Sequence, residues 1–584
     1  MSTRRRKIPI KHFAGGINLA DGELNLPFEE NTESRNMKYE KDGESRTAEG
    51  YGDPGWVWGE DGENIDGLFA SSSYPNLLFA ALNGKIKYVN ASTSPHTSAT
   101  PYNVDTGLSL TKDNNVLFKE YRGMIYFCNG VEVFGRIPVG QLQNAEAAAS
   151  GTWELNDAEA YKFVDGVDKV YCEGDEADYD GWTGDDLENV TNGLAHDAGD
   201  YVTQHIANTP ASGTSGKCKS MAFFKETMWI AGMPDEPNVL RYGKTVASVA
   251  NIVSGYIHDF SDGNNYLIGE GGVITALLPT RDRLYVFLKD RIYYITVEVN
   301  SSGVEVFSKE YLFSGIHGCP NAFCVAEMGE VVVVFTGKRV IRIGYDPSTQ
   351  QLLPDEGFDE DIQSILYDCD TDQSQAEVFY NEDDRELRVK LKVDGIYKTA
   401  VYNNITKKWS YPSDIDSQRY VKFGKITYFG STVDDIVYKK GLGFDADDIA
   451  MIHRYVTGRQ DGGSRNPKLF LRGRIEGTKR QGNKLYVTTY IDNQSFGGAR
   501  EINDTHLKLS SPGNPIGDSV IGEEAIGDGG DEAGRQNFVY PFLIGRRGKD
   551  IRLVFTSYEI GSDWSLTKGE IEYDENIADP STHY

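Results

Sequence analysis

The chain has 584 residues, more than one small core accommodates, so two or three domains or one large β-architecture is expected. Its net charge of −29 excludes a protein that grips nucleic acid over its whole surface, because phosphate binding needs cations. Aromatics at 11%, with 34 Tyr and 63 Gly, exclude a disordered chain and point to β-structure with many tight turns.

Residues 1–55 read as an N-terminal arm. Its basic run, Arg4-Arg5-Arg6-Lys7, is expected to be a solvated tail rather than a phosphate-binding arm. No apolar h-region succeeds it, so no secretory signal is expected. Residues 13–37 then read FAGGINLADGELNLPFEENTESRNM. Gly15 and Gly16 permit a tight backbone path. Ile17, Leu19, Leu24 and Leu26 are expected to bury against the first or last of the repeated units that begin near residue 56.

Residues 56–445 are repetitive. An apolar run, a polar turn, a strongly apolar strand, a second turn and an alternating strand recur at 67–90, 116–137, 218–243, 273–295, 322–344 and 376–402, with a weaker copy at 417–441. The second turns fall at Gly84, Gly130, Asp235, Asp290, Gly337 and Gly395, about 45–60 residues apart save for one gap of about 105. Asn83-Gly84, Asn129-Gly130 and Asp394-Gly395 are dipeptides that accept positive φ at a hairpin turn. Leu284–Leu288 and Val331–Phe335 are almost wholly apolar, as strands covered on both faces are. Meanders too small to bury their own faces, repeated at this spacing, predict the stacked blades of a β-propeller of about six to eight blades. A sandwich with long meanders is the alternative. The wide gap, an acidic stretch at about 140–215, is either a divergent blade or an insertion.

Residues 446–584 change character. The stretches at 469–476, 484–492 and 550–560 read as strands between long Gly-rich loops, predicting a separate antiparallel β-sandwich of seven or eight strands. The IGD, IGE and IGD repeats at 516–528 read as a loop. The fold class expected is therefore all-β, a propeller with a C-terminal antiparallel sandwich. No apolar run approaches the roughly 20 residues that cross a bilayer, so no membrane span is expected.

Catalytic motifs are missing: no nucleophile elbow, no zinc-protease helix and no phosphate-cradling loop. Six scattered cysteines (Cys128, Cys172, Cys218, Cys319, Cys324, Cys369) suggest buried free thiols made in a reducing cytoplasm. Cys319 and Cys324 lie near His317 but lack a second ligand pair at zinc spacing. Asp359–Asp361, Asp368/Asp370/Asp372 and Asp434/Asp435 are the carboxylate pairs a propeller glycosidase would need, in a chain where close pairs are common. Asp368-x-Asp370-x-Asp372 resembles the start of a calcium loop but lacks its Gly, and Phe379 stands where its Glu belongs. No catalytic, cofactor-binding or metal-binding residue is assigned, and no cofactor is expected.

The opening segment resembles the start of many tailed-phage structural proteins, through Phe13, Gly15, Gly16, Ile17, Asn18, Leu26, Pro27, Glu30, Asn36, Gly43, Arg46 and Gly50. The stretches at 267–295, 331–343 and 400–412 are similar to blades of the same proteins. The family is the tail nozzle, or tail tubular protein B, of short-tailed phages. The resemblance implies a non-enzymatic virion protein of the tail, made in the host cytoplasm. It implies a homo-oligomeric ring, usually a hexamer, below the portal and the head–tail adaptor. Such a ring continues the DNA-ejection channel, lets genomic DNA pass without specific binding, and offers a platform for fibres or spikes. Acidic walls would repel DNA and let it slide. A receptor- or glycan-binding tail-tip protein, with Trp56, Trp58 and Trp182 as sugar platforms, is the alternative.

Overall fold

The computed structural model describes the chain apart from residues 1–4, 20–25, 28–29, 41–42, 60–63, 92–100, 147–149, 157–162, 164–168, 174, 184–185, 192–193, 199, 208–215, 246–259, 261–264, 269–271, 300–304, 315–317, 347, 349–350, 356, 414–416, 433–434, 442–445, 448, 465, 507–534 and 576–584. Apolar runs bounded by turn residues become short strands, and these pair antiparallel into successive meanders. Seven meanders form seven blades of a β-propeller. Their innermost strands, in chain order, are Ile65–Ala70, Leu117–Tyr121, Ser220–Phe224, Ile274–Pro279, Val325–Met328, Glu377–Asn381 and Gln418–Phe423. Each inner strand packs beside the next, and the seventh beside the first, so the ring closes. Apolar faces of neighbouring blades interlock. Phe79 and Phe127 share a core between blades 1 and 2, Met124 and Met228 one between blades 2 and 3, and Trp229 and Val286 one between blades 3 and 4. Each of the seven repeats seen in the sequence is one blade.

The seventh repeat reads weakly for a physical reason. It supplies three strands, and its fourth is Tyr51–Gly52, which pairs antiparallel with Lys439 and Lys440. The N-terminal arm therefore contributes the strand that closes the ring. Trp56 and Trp58 come next in the chain and fill the space between blades 7 and 1, with Trp56 stacked 5.5 Å from Tyr428. The wide gap is an insertion, not an eighth blade. The third strand of blade 2, Gly135–Gln141, pairs with Tyr201–Thr203 and with Ile206–Ala207. Between them the chain leaves the blade, forms five short strands among the described residues between Ser150 and Thr191, and returns. This excursion has its own core, with Trp153, Phe163 and Leu187 buried.

Among the described residues, seven C-terminal strands from His453–Thr457 to Trp564–Asp574 form a sandwich, and the arm completes it. Asn31–Arg35 lies between blade 6 and the sandwich: Arg35 pairs with Tyr411, while Asn31 to Arg35 pair with Thr457 to Arg454. One nine-stranded sheet thus runs from blade 6 into the sandwich. Arg5–Ile10 adds to the edge of Trp564–Asp574, burying Ile8 and Ile10. The expected solvated tail is instead a paired strand from Arg5 onward, with Arg6 bonded to Glu575 and Lys7 to Glu570. The 516–528 repeats and Leu24 lie outside the described residues.

Candidate functional site

Among the described residues, the propeller axis and the joint built by the arm both concentrate unusual chemistry. At the axis a cavity of about 380 Å³ is lined by inner-strand side chains, among them Phe118, Glu327, Phe379 and Val421. Arg419 lies across it. The inner strand of blade 7 bulges between Gln418 and Tyr420, and Arg419 at the bulge takes φ +56°, a conformation unfavourable for a side chain as large as arginine. The bulge turns the backbone N–H groups of Arg419 and Tyr420 onto the two carboxylate oxygens of Glu377, at 2.8 and 2.9 Å. Arg419 is 1% exposed. Its guanidinium donates to the Asp66 carbonyl, to Gln375 and to Asn115, lies 3.6 Å from Glu377 and stacks 3.7 Å over Phe323. Residues of blades 1, 6 and 7 and of the loops beside them are tied together by this one side chain.

Burial dominates the electrostatics here. It pushes the Glu377 carboxyl up against the pull of Arg419 and Lys390, and it pulls the Arg419 guanidinium down. Burial, with Asp113 beside it, pushes Asp66 up to about 7. Both Glu377 oxygens are engaged by backbone donors, so this carboxylate is held as an anchor and not as a proton shuttle. The arrangement ties the blades together.

At the joint, residues of the opening segment meet the propeller and the sandwich together. Phe13 is fully buried, edge-on to Tyr455 at 5.6 Å and to Phe555 at 5.9 Å. Gly16 has φ +81°, and a Cβ there would stand 2.8 Å from Lys408 Cδ. Its carbonyl accepts from the Asn31 backbone and side chain. Ile17 N–H donates to the Trp409 carbonyl, and Asn18 bonds Glu30. Asn36, at φ +52°, donates to the Ile452 carbonyl. Ile17 and Leu19 therefore bury against blade 6 and the short helical segment before it, not against the first or last blade as expected. The reason is the pair of backbone bonds from Ile17 N–H to the Trp409 carbonyl and from Leu19 N–H to the Asp361 carbonyl, which hold these apolar residues against the blade 6 core around Trp409. The joint also holds an ion cluster: Lys38 with Glu49, and Lys440 and Arg388 with Glu386. Burial alone would push Glu386 up; Lys440 and Arg388 outweigh it and hold the carboxyl at about 2.

Among the described residues, the carboxylates singled out in the sequence have separate partners. Asp359 is clamped in two-pronged fashion by Arg339 and accepts from Val340 N–H, and Asp361 offers its backbone carbonyl to Leu19. Asp370 caps Gly395, Asp372 caps Ser374, and Asp435 accepts from Gly59 N–H. Asp434 and His317 lie outside the described residues. Cys319 and Cys324 are buried among hydrogen-bond partners, Thr275 for the first and the Ala376 carbonyl for the second, and burial pushes Cys319 up to about 12. Trp56 and Trp58 are buried, and Trp182 packs against the insertion core, so the first two do not present the expected aromatic platforms at a surface. All six cysteines are free and buried. No helix among the described residues is long and apolar enough to cross a membrane.

Comparison with known proteins adds little beyond architecture. No family model matches the chain, and no curated protein matches it. Solved structures with similar strand arrangements include a putative 6-phosphogluconolactonase from Bacteroides uniformis, at 12% identity, covering 64% of this chain and 89% of that one, TM-score 0.32. Hsv2 of Kluyveromyces lactis is 9% identical over 60% of this chain and 97% of that one, TM-score 0.24. An exo-β-1,3-galactanase from Phanerochaete chrysosporium is 9% identical over 80% of this chain and 97% of that one, TM-score 0.21. At such values the similarity carries no inference about activity.

Proposed function

We propose that this chain is a structural, non-enzymatic component of a bacteriophage tail, the nozzle or hub ring that continues the DNA channel below the portal and adaptor. The observation that carries the reading is what the family-like residues do. Phe13, Gly16, Ile17, Asn18 and Asn36 sit at the joint where the propeller and the sandwich share one sheet. Residues devoted to a joint suit a protein whose work is to hold its parts in register within an assembly. Arg419 and its partners line the small cavity at the centre of the propeller. DNA would pass through the ring of copies, not through a single propeller. The charge of −29 suits a wall that repels DNA. Burial of Trp56 and Trp58 weakens the receptor- or glycan-binding alternative. Co-expression with a portal–adaptor complex tests the reading. Stable co-purification is expected, and failure to associate at low and moderate salt would sink it.

A further inference from the structure

The insertion on blade 2 carries a cluster unconnected with the axis or the joint. Cys172 ends the strand Lys169–Cys172, and His196 and Asp200 lie on the chain returning to the blade. One donor atom from each, a thiol sulfur, an imidazole nitrogen and a carboxylate oxygen, lies within 4.8 Å of the other two. The imidazole sits between two carboxylates: Nδ1 is 3.8 Å from Asp200 and Nε2 is 3.4 Å from Asp175. His196 is 6% exposed, and its Nε2 makes no hydrogen bond among the described residues. The ring is held in place from behind. The backbone of His196 exchanges hydrogen bonds with Glu146 at 2.7 and 2.8 Å, and the ring meets Trp153 edge-on at 5.4 Å. Asp200 is likewise fixed by the Asp197 N–H at 2.8 Å.

We propose that Cys172, His196 and Asp200 form a site for a divalent transition-metal ion, zinc by preference, with Asp175 orienting the imidazole or supplying a fourth ligand. Sulfur, nitrogen and oxygen donors in one small cluster match zinc's ligand preferences, whereas calcium and magnesium take oxygen alone. A carboxylate at the second nitrogen of a metal-bound histidine is the usual supporting partner. Asp175 and Asp200 have side chains 19% and 20% exposed, which leaves an entry path on one side. Binding would transfer the thiol proton to solvent as the metal–sulfur bond forms. The physical benefit is local. The excursion has a small core, and a metal joining its outgoing and returning segments staples it as metals staple other small scaffolds.

The test uses the full-length chain, stripped with a chelator and titrated with Co²⁺. One equivalent of cobalt with a thiolate-to-metal charge-transfer absorption, displaced by Zn²⁺, is expected. Cys172→Ser should abolish that absorption, and Asp200→Asn, at a more accessible position, should weaken binding at least about tenfold. Cobalt uptake without the charge-transfer band, a band that persists in Cys172→Ser, or no stoichiometric uptake by the wild-type chain would each overturn the proposal. Because the wild-type spectrum is itself decisive, a variant that fails to fold does not rescue it.

Discussion

Replacing Arg419 by Met removes the guanidinium while keeping much of the side-chain volume. Glu377 would keep its two backbone donors but lose the charge 3.6 Å away, while Gln375 and Asn115 would each lose a donor. The contact over Phe323, at 3.7 Å, would lose its cation. Breaking a buried pair from one side costs about 3–5 kcal/mol, because the remaining charge stays buried. The strain of a positive φ persists in Met, so nothing is recovered there. Glu377→Gln in the same chain removes the orphaned charge, and the double variant is expected to lose at least about 1 kcal/mol less than the sum of the single losses. Urea unfolding tracked by tryptophan fluorescence, in which buried Trp56 and Trp229 report on two blade interfaces, measures all four states of this cycle. A loss below about 1 kcal/mol for Arg419→Met, or strict additivity in the cycle, would refute the idea that this pair locks the blades.

Asp66 gives a pH signature. Its carboxyl is raised to about 7 in the folded chain, so below about pH 4 it is neutral in both states and costs nothing. As pH rises from about 4 to about 7 the unfolded chain ionises this group while the folded chain keeps it protonated, so stability falls across that window and stays low once pH has passed through 7. From an ordinary value near 4 the gap is worth at most about 4 kcal/mol. Asp66→Asn should therefore stabilise the chain at pH 8 and leave it unchanged at pH 4; denaturation at the two pH values checks this, and equal effects at both would contradict it. Phe13→Ala opens a cavity between Tyr455 and Phe555 and should cost about 3–5 kcal/mol, seen by calorimetry as earlier unfolding of the sandwich. A change of less than about 1 kcal/mol would show that the arm is dispensable to that core.

The blades are legible because each buries an apolar strand between polar turns, a pattern confined to one stretch of chain. Asn83-Gly84 and Asp394-Gly395 are tight turns with positive φ at both positions, as the dipeptides indicate. Asn129-Gly130 is not: the Asn129 side chain accepts from the Val131 and Glu132 N–H groups, and a longer loop carries the chain to Gly135. Lys225-Glu226 makes the same two-residue turn with no such composition, held by the pairing of Phe224 with Thr227. Local pattern does not reveal what depends on distant partners. Arg419 meets Asp66 and Asn115, which precede it by 353 and 304 residues, and nothing in Ser417-Gln418-Arg419-Tyr420 signals a positive φ. The sandwich strands at Arg5–Ile10 and Asn31–Arg35 are hidden likewise, because their partners lie at the other end of the chain. Cys172 and His196 are too far apart in sequence to register as a ligand spacing.

The most direct test of the proposed role is the state of assembly. Light scattering and low-resolution imaging of the full-length chain, alone and with a portal–adaptor complex, should show a closed ring with an axial hole and a mass about six times that of one chain. A particle that stays monomeric in both conditions would contradict a nozzle or hub.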